Sequence, residues 1–334
     1  MNSKISFSLT NCNRFFYLRS CYKSLLNSIK DYEGKYEIFI IDNASCEIGT
    51  IEFLNELEKN KNTKVIRNKV RSPNNEFARS LNQFVREAQG DFLLPLQGDE
   101  QFILSRWLTD YKNIFQEYHD EIGCIMIDAQ RKSRNVSGRY GKIVGDKFRF
   151  VFDLQRPPIS CAGSVMYSRK VIDKIKFWNE VNDAHEGEKL NSETHMLHKV
   201  RKLIETDDFI KNLKCLVPII PPSAVIYNTK GTNARCRNNI LMGEYFAPKF
   251  DDWRYYEILD YDMMVEKNKH RTIPLGIEET AHALGFKLLM DEDGNLIKNP
   301  LRIENLKPGD YIELYPEEKE VIKAEDDWLN EWTT

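Results

Sequence analysis

Arg79–Phe102 reads RSLNQFVREAQGDFLLPLQGDEQF, and it decides the fold. Its first half is an amphipathic helix that ends at Ala88-Gln89-Gly90. A buried strand follows from Asp91 to Leu96, and then an acidic loop, Gln97-Gly98-Asp99-Glu100. In an open α/β sheet the carboxyl ends of the strands are where ligands bind. Carboxylates at such an edge can hold a hard cation, and the cation can hold a diphosphate. The chemistry implied is that of nucleotide sugars.

Working outward, the same rhythm fills the first 128 residues. Ile5–Leu9 is a short strand, Phe15–Ile29 has helical periodicity, Tyr36–Ile41 is a buried strand ending at Asp42-Asn43, and Ile51–Leu57 is helical. Lys64–Arg67, Asn75–Ala88, Asp91–Leu96, Ser105–Tyr118 and Gly123–Ile127 continue the alternation of strand and helix. That alternation predicts an α/β fold with a doubly wound, mostly parallel sheet. Residues 131–152 read as a basic hairpin around Ser137-Gly138. Beyond it come a strand (Ser164–Tyr167), a helix (Arg169–Ile175), a polar loop (Phe177–Asn191), a helix (Ser192–Ile204), and strands at Leu216–Ile220 and Ala224–Tyr227. A boundary is expected near residues 265–275, giving a domain of 1–268 (halves 1–130 and 131–268) and a small β-rich C-terminal module, 269–334, with an acidic tail.

With 334 residues the chain can bury a full core without staples. Its net charge of −3 gives no general attraction to nucleic acid or membrane. The seven cysteines are scattered, odd in number and free of any CxxC pair, as expected of reduced thiols in the cytoplasm. No apolar run approaches a membrane span, and residues 1–9 lack a signal-peptide pattern.

Four elements, in order, resemble the family-2 glycosyltransferases of GT-A fold: a strand entering Thr10-Asn11-Cys12-Asn13-Arg14; IIDNAS at 40–45; Asn82 followed eight residues later by Gly90 and then LLPLQGDE; and SCAGSVMYSRKVIDKI at 160–175. The resemblance covers roughly residues 3–240. It implies transfer of a sugar from a nucleoside-diphosphate donor to an acceptor hydroxyl, with inversion. Donor contacts are implied at Thr10, Asn13, Arg14, Asp42, Asn82, Gln97 and Asp99, and an acceptor contact at Gly163. Trp178, beside the expected acceptor loop, is a candidate to stack on a sugar ring, with core packing the more frequent fate of such a residue.

The residues support particular roles. Asp42, ending a buried strand, can accept the N3–H of uracil or thymine, which favours UDP- or dTDP-sugars; the bland alternative is a turn or helix cap. Asp99, with Glu100, is the expected ligand for Mn2+ or Mg2+. The D-x-D motif of the family is incomplete here, because Gln97 stands at its first acid and can offer only neutral hydrogen bonds. Glu193 is the expected general base, with Asp183, Glu186 and Glu188 as competitors; the alternative is a first-turn acid favoured by the helix dipole. Lys230, Arg235 and Arg237 lie on a glycine-containing basic loop that can pair with a diphosphate. His195 and His198 have metal-ligand spacing without a third ligand, so zinc is not expected.

Residues 131–149 carry seven Lys/Arg against the single acid Asp146. They suit an anionic acceptor, or simply form a solvated face. Two other readings stand beside the transferase: a non-catalytic nucleotide-sugar-binding module, motivated by Gln97, and a transferase acting on DNA bases, which the acidic total disfavours. A nucleotidyltransferase would need a glycine-rich first loop, and Leu9–Arg14 has no glycine.

Overall fold

The computed structural model of the protein describes residues 3–12, 15–45, 48–70, 76–98, 100–127, 138–160, 164–180, 184–185, 188–189, 192–225 and 258–275. The N-terminal half runs β1 (Ile5–Asn11), α1 (Phe15–Ser28), β2 (Tyr36–Asn43), α2 (Ile48–Leu57), β3 (Thr63–Asn68), α3 (Glu76–Glu87) and β4 (Phe92–Leu96). Then come β5 (Glu100–Phe102), α4 (Trp107–Glu117), β6 (Ile122–Met126), β7 (Tyr140–Val144), β8 (Phe150–Asp153), β9 (Val165–Ser168) and α5 (Arg169–Ile175). The remaining elements are β10 (Ala184–His185), β11 (Glu188–Lys189), α6 (Ser192–Thr206), α7 (Asp208–Asn212), β12 (Lys214–Pro218), β13 (Ser223–Val225) and α8 (Tyr261–Lys267).

Nine strands form one sheet in the order β3-β2-β1-β4-β9-β6-β12-β8-β7. β3, β2, β1 and β4 are parallel neighbours, β9 is antiparallel to both β4 and β6, and β12 runs parallel to β6. Alternation along the strands divides the core in two, because successive side chains point to opposite faces. Ile38 and Ile40 of β2 pack with α1, α2, α4 and α8, whereas Phe39 and Ile41 pack with α3, α5, α6 and α7. The sheet is thus doubly wound, as its alternating sequence predicts.

Strand order reverses at β1: β2 and β3 lie on one side of it and β4 on the other. That reversal leaves a crevice outside the carboxyl ends of β1 and β4, the place where ligands bind in open sheets. β4 pairs with β9 only at Phe92 and Leu93, so that ladder stops short of Pro95, which has no N–H to give. Gly90 makes the turn into β4 possible. A Cβ there would lie 2.5 Å from Ser6 Oγ and 2.7 Å from Phe92 O.

Several elements differ from the sequence expectation. Glu100 does not end a loop but opens β5, which pairs antiparallel with β13 in a separate two-stranded ribbon. The basic hairpin turns at Gly145 rather than at Ser137-Gly138. Gly145 has φ of +84°, and any Cβ there would meet Phe148 O at 2.4 Å. α7 and α8 were not expected from periodicity. Each is short and is started by an aspartate: Asp207 accepts from Phe209 N (3.0 Å) and Ile210 N (3.2 Å), and Asp260 accepts from Met263 N (2.8 Å).

The packed unit also runs to Leu275. Leu275 is buried and donates its N–H to Ile219 O (3.0 Å), Leu259 donates to Ile103 O (2.7 Å), and Tyr261 stacks on Phe148 and bonds Asp110. The expected C-terminal module beyond that point, 276–334, lies outside the described residues.

Candidate functional site

The four sequence elements singled out above meet at one edge of the sheet. Asn11 and Asp42 are register partners at the ends of β1 and β2, and Asn11 Nδ2 donates to Asp42 Oδ1 (2.9 Å). The Ser45 N–H donates to Asp42 Oδ2 (3.0 Å), and the Ser45 hydroxyl donates to Oδ1. Asp42 is therefore buried with its carboxylate plane fixed by two neighbours.

Gln97 and Gly98, just past β4, lie against β1: a Cβ on Gly98 would come within 3.1 Å of Thr10 O. The Gln97 N–H donates to Ser164 Oγ (2.9 Å), which attaches the end of the fourth element to the same place. Thr10, Asp42, Gln97 and Ser164 thus line the carboxyl ends of β1, β2 and β4, flanking the point where strand order reverses.

A second polar cluster adjoins it on the α3 side. Asn43 Oδ1 accepts from Asn68 Nδ2 (2.9 Å) and Arg79 Nη2 (3.1 Å), while Asn43 Nδ2 donates to Ser80 Oγ (3.1 Å). Asn68 and Gln83 exchange two more bonds. This cluster holds the ends of β2 and β3 to α3. Neither it nor the Asn11 and Ser45 braces of Asp42 emerged from sequence. Asn11 and Ser45 do lie inside the quoted stretches, but nothing in a strand pattern says that they converge on one carboxylate.

The other expected site residues fall elsewhere. Asn82 is 1% exposed. Its amide donates to Trp178 O (2.8 Å) and Glu180 Oε1 (2.7 Å) and accepts from Trp178 N (2.8 Å). Both amide hydrogens are committed to protein, so the donor contact expected of Asn82 has no hydrogen left to serve it. Trp178 is 4% exposed within the α3–α5–α6 core, which is packing rather than an open stacking surface for a sugar. Glu193 lies in the first turn of α6, whose inner face carries the buried Met196 and Val200.

Arg169, in the fourth element, caps α3. Its guanidinium donates to Ala88 O (2.7 Å), Val85 O (3.4 Å) and Gly90 O (3.1 Å). Asn13, Arg14, Asp99, Gly163, Lys230, Arg235 and Arg237 lie outside the described residues, as do Asp183 and Glu186.

Glu100 is fully buried, and Ser223 Oγ donates to its Oε2 (3.2 Å), with Ile127 O also near that hydroxyl (3.3 Å). Asp99, expected to hold a metal ion together with Glu100, lies outside the described residues. Among the described residues no group of three His, Cys, Asp or Glu could hold a metal ion. Val225 stands opposite Glu100 in the β5–β13 ribbon, so the chain that leads on toward Lys230 leaves the described structure beside the Gln97–Glu100 corner.

Where it is described, the basic hairpin has its cations in contact with the protein. Arg139 pairs with the buried Asp153 (2.8 Å), Lys147 pairs with Asp262, Lys142 sits over Tyr118 (5.0 Å), and Arg149 donates to Asn268 O (3.2 Å) and Arg271 O. Arg131, Lys132 and Arg134 lie outside the described residues.

An open α/β sheet of GT-A type, with its sequence signatures gathered at the switch point, defines the class. The model of the family described as "Glycosyl transferase family 2" matches residues 6–176, more than half of the chain, and the chain belongs to this family. Among solved structures it is similar to S. aureus TarS 1–349 (TM-score 0.42, 15% identity, 66% of this chain and 60% of that one). It is also similar to the complex of TarS 1–349 with UDP-GlcNAc (TM-score 0.42, 16% identity, 68% and 59%). A third similar structure is the mannosyltransferase PcManGT from Pyrobaculum calidifontis in complex with GDP-Man and Mn2+ (TM-score 0.43, 12% identity, 73% and 62%). The chain spans about 60% of the length of TarS 1–349. No curated protein matches it.

Proposed function

We propose that the protein transfers a sugar from a nucleoside-diphosphate donor to an acceptor hydroxyl, with inversion at the anomeric carbon. The observation that carries this reading is the meeting of Thr10, Asp42, Gln97 and Ser164 at the carboxyl ends of β1, β2 and β4, beside the strand-order reversal. Asp42 accepts the base N–H with the lone pairs left by Asn11 and Ser45, which favours UDP- or dTDP-sugars. The diphosphate then lies across the Thr10–Gly98 contact, where Asn13, Arg14 and Asp99 follow in sequence. Lys230, Arg235 and Arg237 supply positive charge to the leaving group.

Glu193 takes the proton of the acceptor hydroxyl as its oxygen attacks the anomeric carbon, and the nucleoside diphosphate leaves with the bonding electron pair. Gly163 is assigned to contact with the acceptor. The acceptor is a glycan or another hydroxyl compound. Asp99, with Glu100, is the pair we assign to Mn2+ or Mg2+, and no step above depends on the ion. Among the described residues no helix is long and apolar enough to cross a membrane, and we place the protein in the cytoplasm on its scattered cysteines and charge.

The test is release of nucleoside diphosphate from UDP-, dTDP- and GDP-sugars, with and without Mn2+, by the full chain. Turnover of a pyrimidine donor, lost in Glu193→Gln while UDP still binds, is the expected result. A second reading draws on Gln97 at the first acid of the D-x-D motif: a module that binds the nucleotide sugar and does not turn it over. UDP binding without release from any donor would favour it.

A further inference from the structure

Phe177–Glu180 runs from the end of α5 toward the segment that precedes α6, and it is held from both sides. On the α3 side Asn82 brackets Trp178, donating to its carbonyl and accepting from its N–H, each at 2.8 Å, as a neighbouring strand would. The second amide hydrogen of Asn82 goes to Glu180 Oε1 (2.7 Å), which also accepts from Arg86 Nη2 (3.1 Å). Arg86 in addition lies over the Phe177 ring, 5.0 Å from its centroid. On the α6 side Lys199 donates to Phe177 O (3.2 Å). Burial, with Lys176 nearby, lowers the pKa of Lys199, as befits an amine held against the protein rather than in water.

The strap therefore joins α3, which belongs to the nucleotide half, to α6, which carries Glu193. Its centre is sealed, with Asn82 at 1% and Trp178 at 4% exposure. We propose that Asn82 is a positioning residue. It does not touch the donor; it pins the 177–180 strap and thereby sets α6, and with it Glu193, against the nucleotide half. This rests on the transferase reading above for its catalytic consequence. The mechanical part stands on the bonds alone.

Asn82→Asp keeps the shape and the acceptor for Trp178 N–H. It removes both donated bonds and sets a second carboxylate against Glu180. Adding Glu180→Gln reverses the polarity of that contact, because the glutamine amide can donate to Asp at position 82. Three quantities are read on the full chain: the UDP dissociation constant, nucleoside-diphosphate release from UDP-sugars with water as acceptor, and hydrogen exchange of peptides covering 177–180 and α6.

In Asn82→Asp, exchange rises at the strap and through α6, and turnover falls at least about tenfold, since misplacement of about 1 Å can cost about 100-fold. The UDP constant stays within about twofold, the shift expected of a residue outside the donor site. The double variant regains much of the lost turnover, and Glu180→Gln alone stays close to wild type. A weakened UDP affinity with unchanged exchange would make Asn82 a donor ligand and overturn the proposal. Raised exchange with wild-type turnover would also overturn it, leaving the strap as structure only. If the wild-type protein neither binds UDP nor releases it from any donor, the transferase reading is what fails, and the exchange pattern alone decides the strap.

Discussion

Asp153 is a buried carboxylate with several partners. It is 1% exposed, pairs with Arg139 and Arg156, and accepts from the N–H groups of Gln155 (3.1 Å) and Arg156 (3.2 Å). Removing a buried partner leaves two guanidinium groups without their anion, so Asp153→Ala is expected to cost about 3 kcal/mol in urea unfolding. Arg169→Met removes the cap on three carbonyls at the end of α3, a loss of about 1.5–3 kcal/mol by the same measurement.

Glu37 gives a pH signature. Burial acts to raise its pKa, but bonds from Lys4 Nζ, Ser6 Oγ and Gln89 N–H outweigh it, and the carboxyl is held below its ordinary 4.5. A depressed folded value means that the contribution is present above the unfolded pKa and lost as pH falls through the folded one. Stability of the wild type is therefore expected to drop below about pH 4.5 more steeply than that of Glu37→Gln, as unfolding midpoints across an acid series will show.

At the scale of elements, the pieces that could be read from sequence are those whose cause is local. β4 is an uninterrupted apolar run, β2 has one at its centre (Ile38–Ile41), β1 alternates Ile5, Phe7 and Leu9 with serines, and α3 puts Ala78, Leu81 and Phe84 on one buried face, so their types follow from periodicity. β5 was hidden because Glu100-Gln101-Phe102 becomes a strand only through β13, a partner far along the chain. The turn at Gly145 was hidden because Ser137-Gly138 offers the same local chemistry. α8 was hidden because it is short and is held by Phe148, Asp110, Arg106 and Lys147 rather than by its own pattern. The candidate site was legible as positions at strand ends, such as Asp42 and Gln97, but not as orientations. That the Asn82 amide turns to the backbone of Trp178 depends on a contact that no spacing rule supplies. Gly90 carries the tightest prediction at this scale. In Gly90→Ala the new methyl meets Ser6 and Phe92 backbone atoms, and thermal unfolding should show a loss of about 1–3 kcal/mol.

For the molecule as a whole, the described unit closes on residues 258–275, so its end is better set by contacts than by composition. A chain ending after Leu275 is expected to keep the melting temperature of its core. One ending after Asn268 loses the Leu275–Ile219 and Arg149–Arg271 contacts, and it should melt several degrees lower, at about 2–4 °C per kcal/mol for a domain of this size. In the proposed transferase a nucleoside diphosphate lies across the carboxyl ends of β1, β2 and β4. A thermal-shift panel of UDP, dTDP, GDP and CMP, each with Mn2+, Mg2+ or EDTA, on wild type and Asp42→Asn tests it most directly, because a ligand that binds only the folded state raises its stability. The account predicts a shift for UDP or dTDP that is lost or much reduced in Asp42→Asn. No shift with any nucleotide, or an equal shift in the variant, would contradict it.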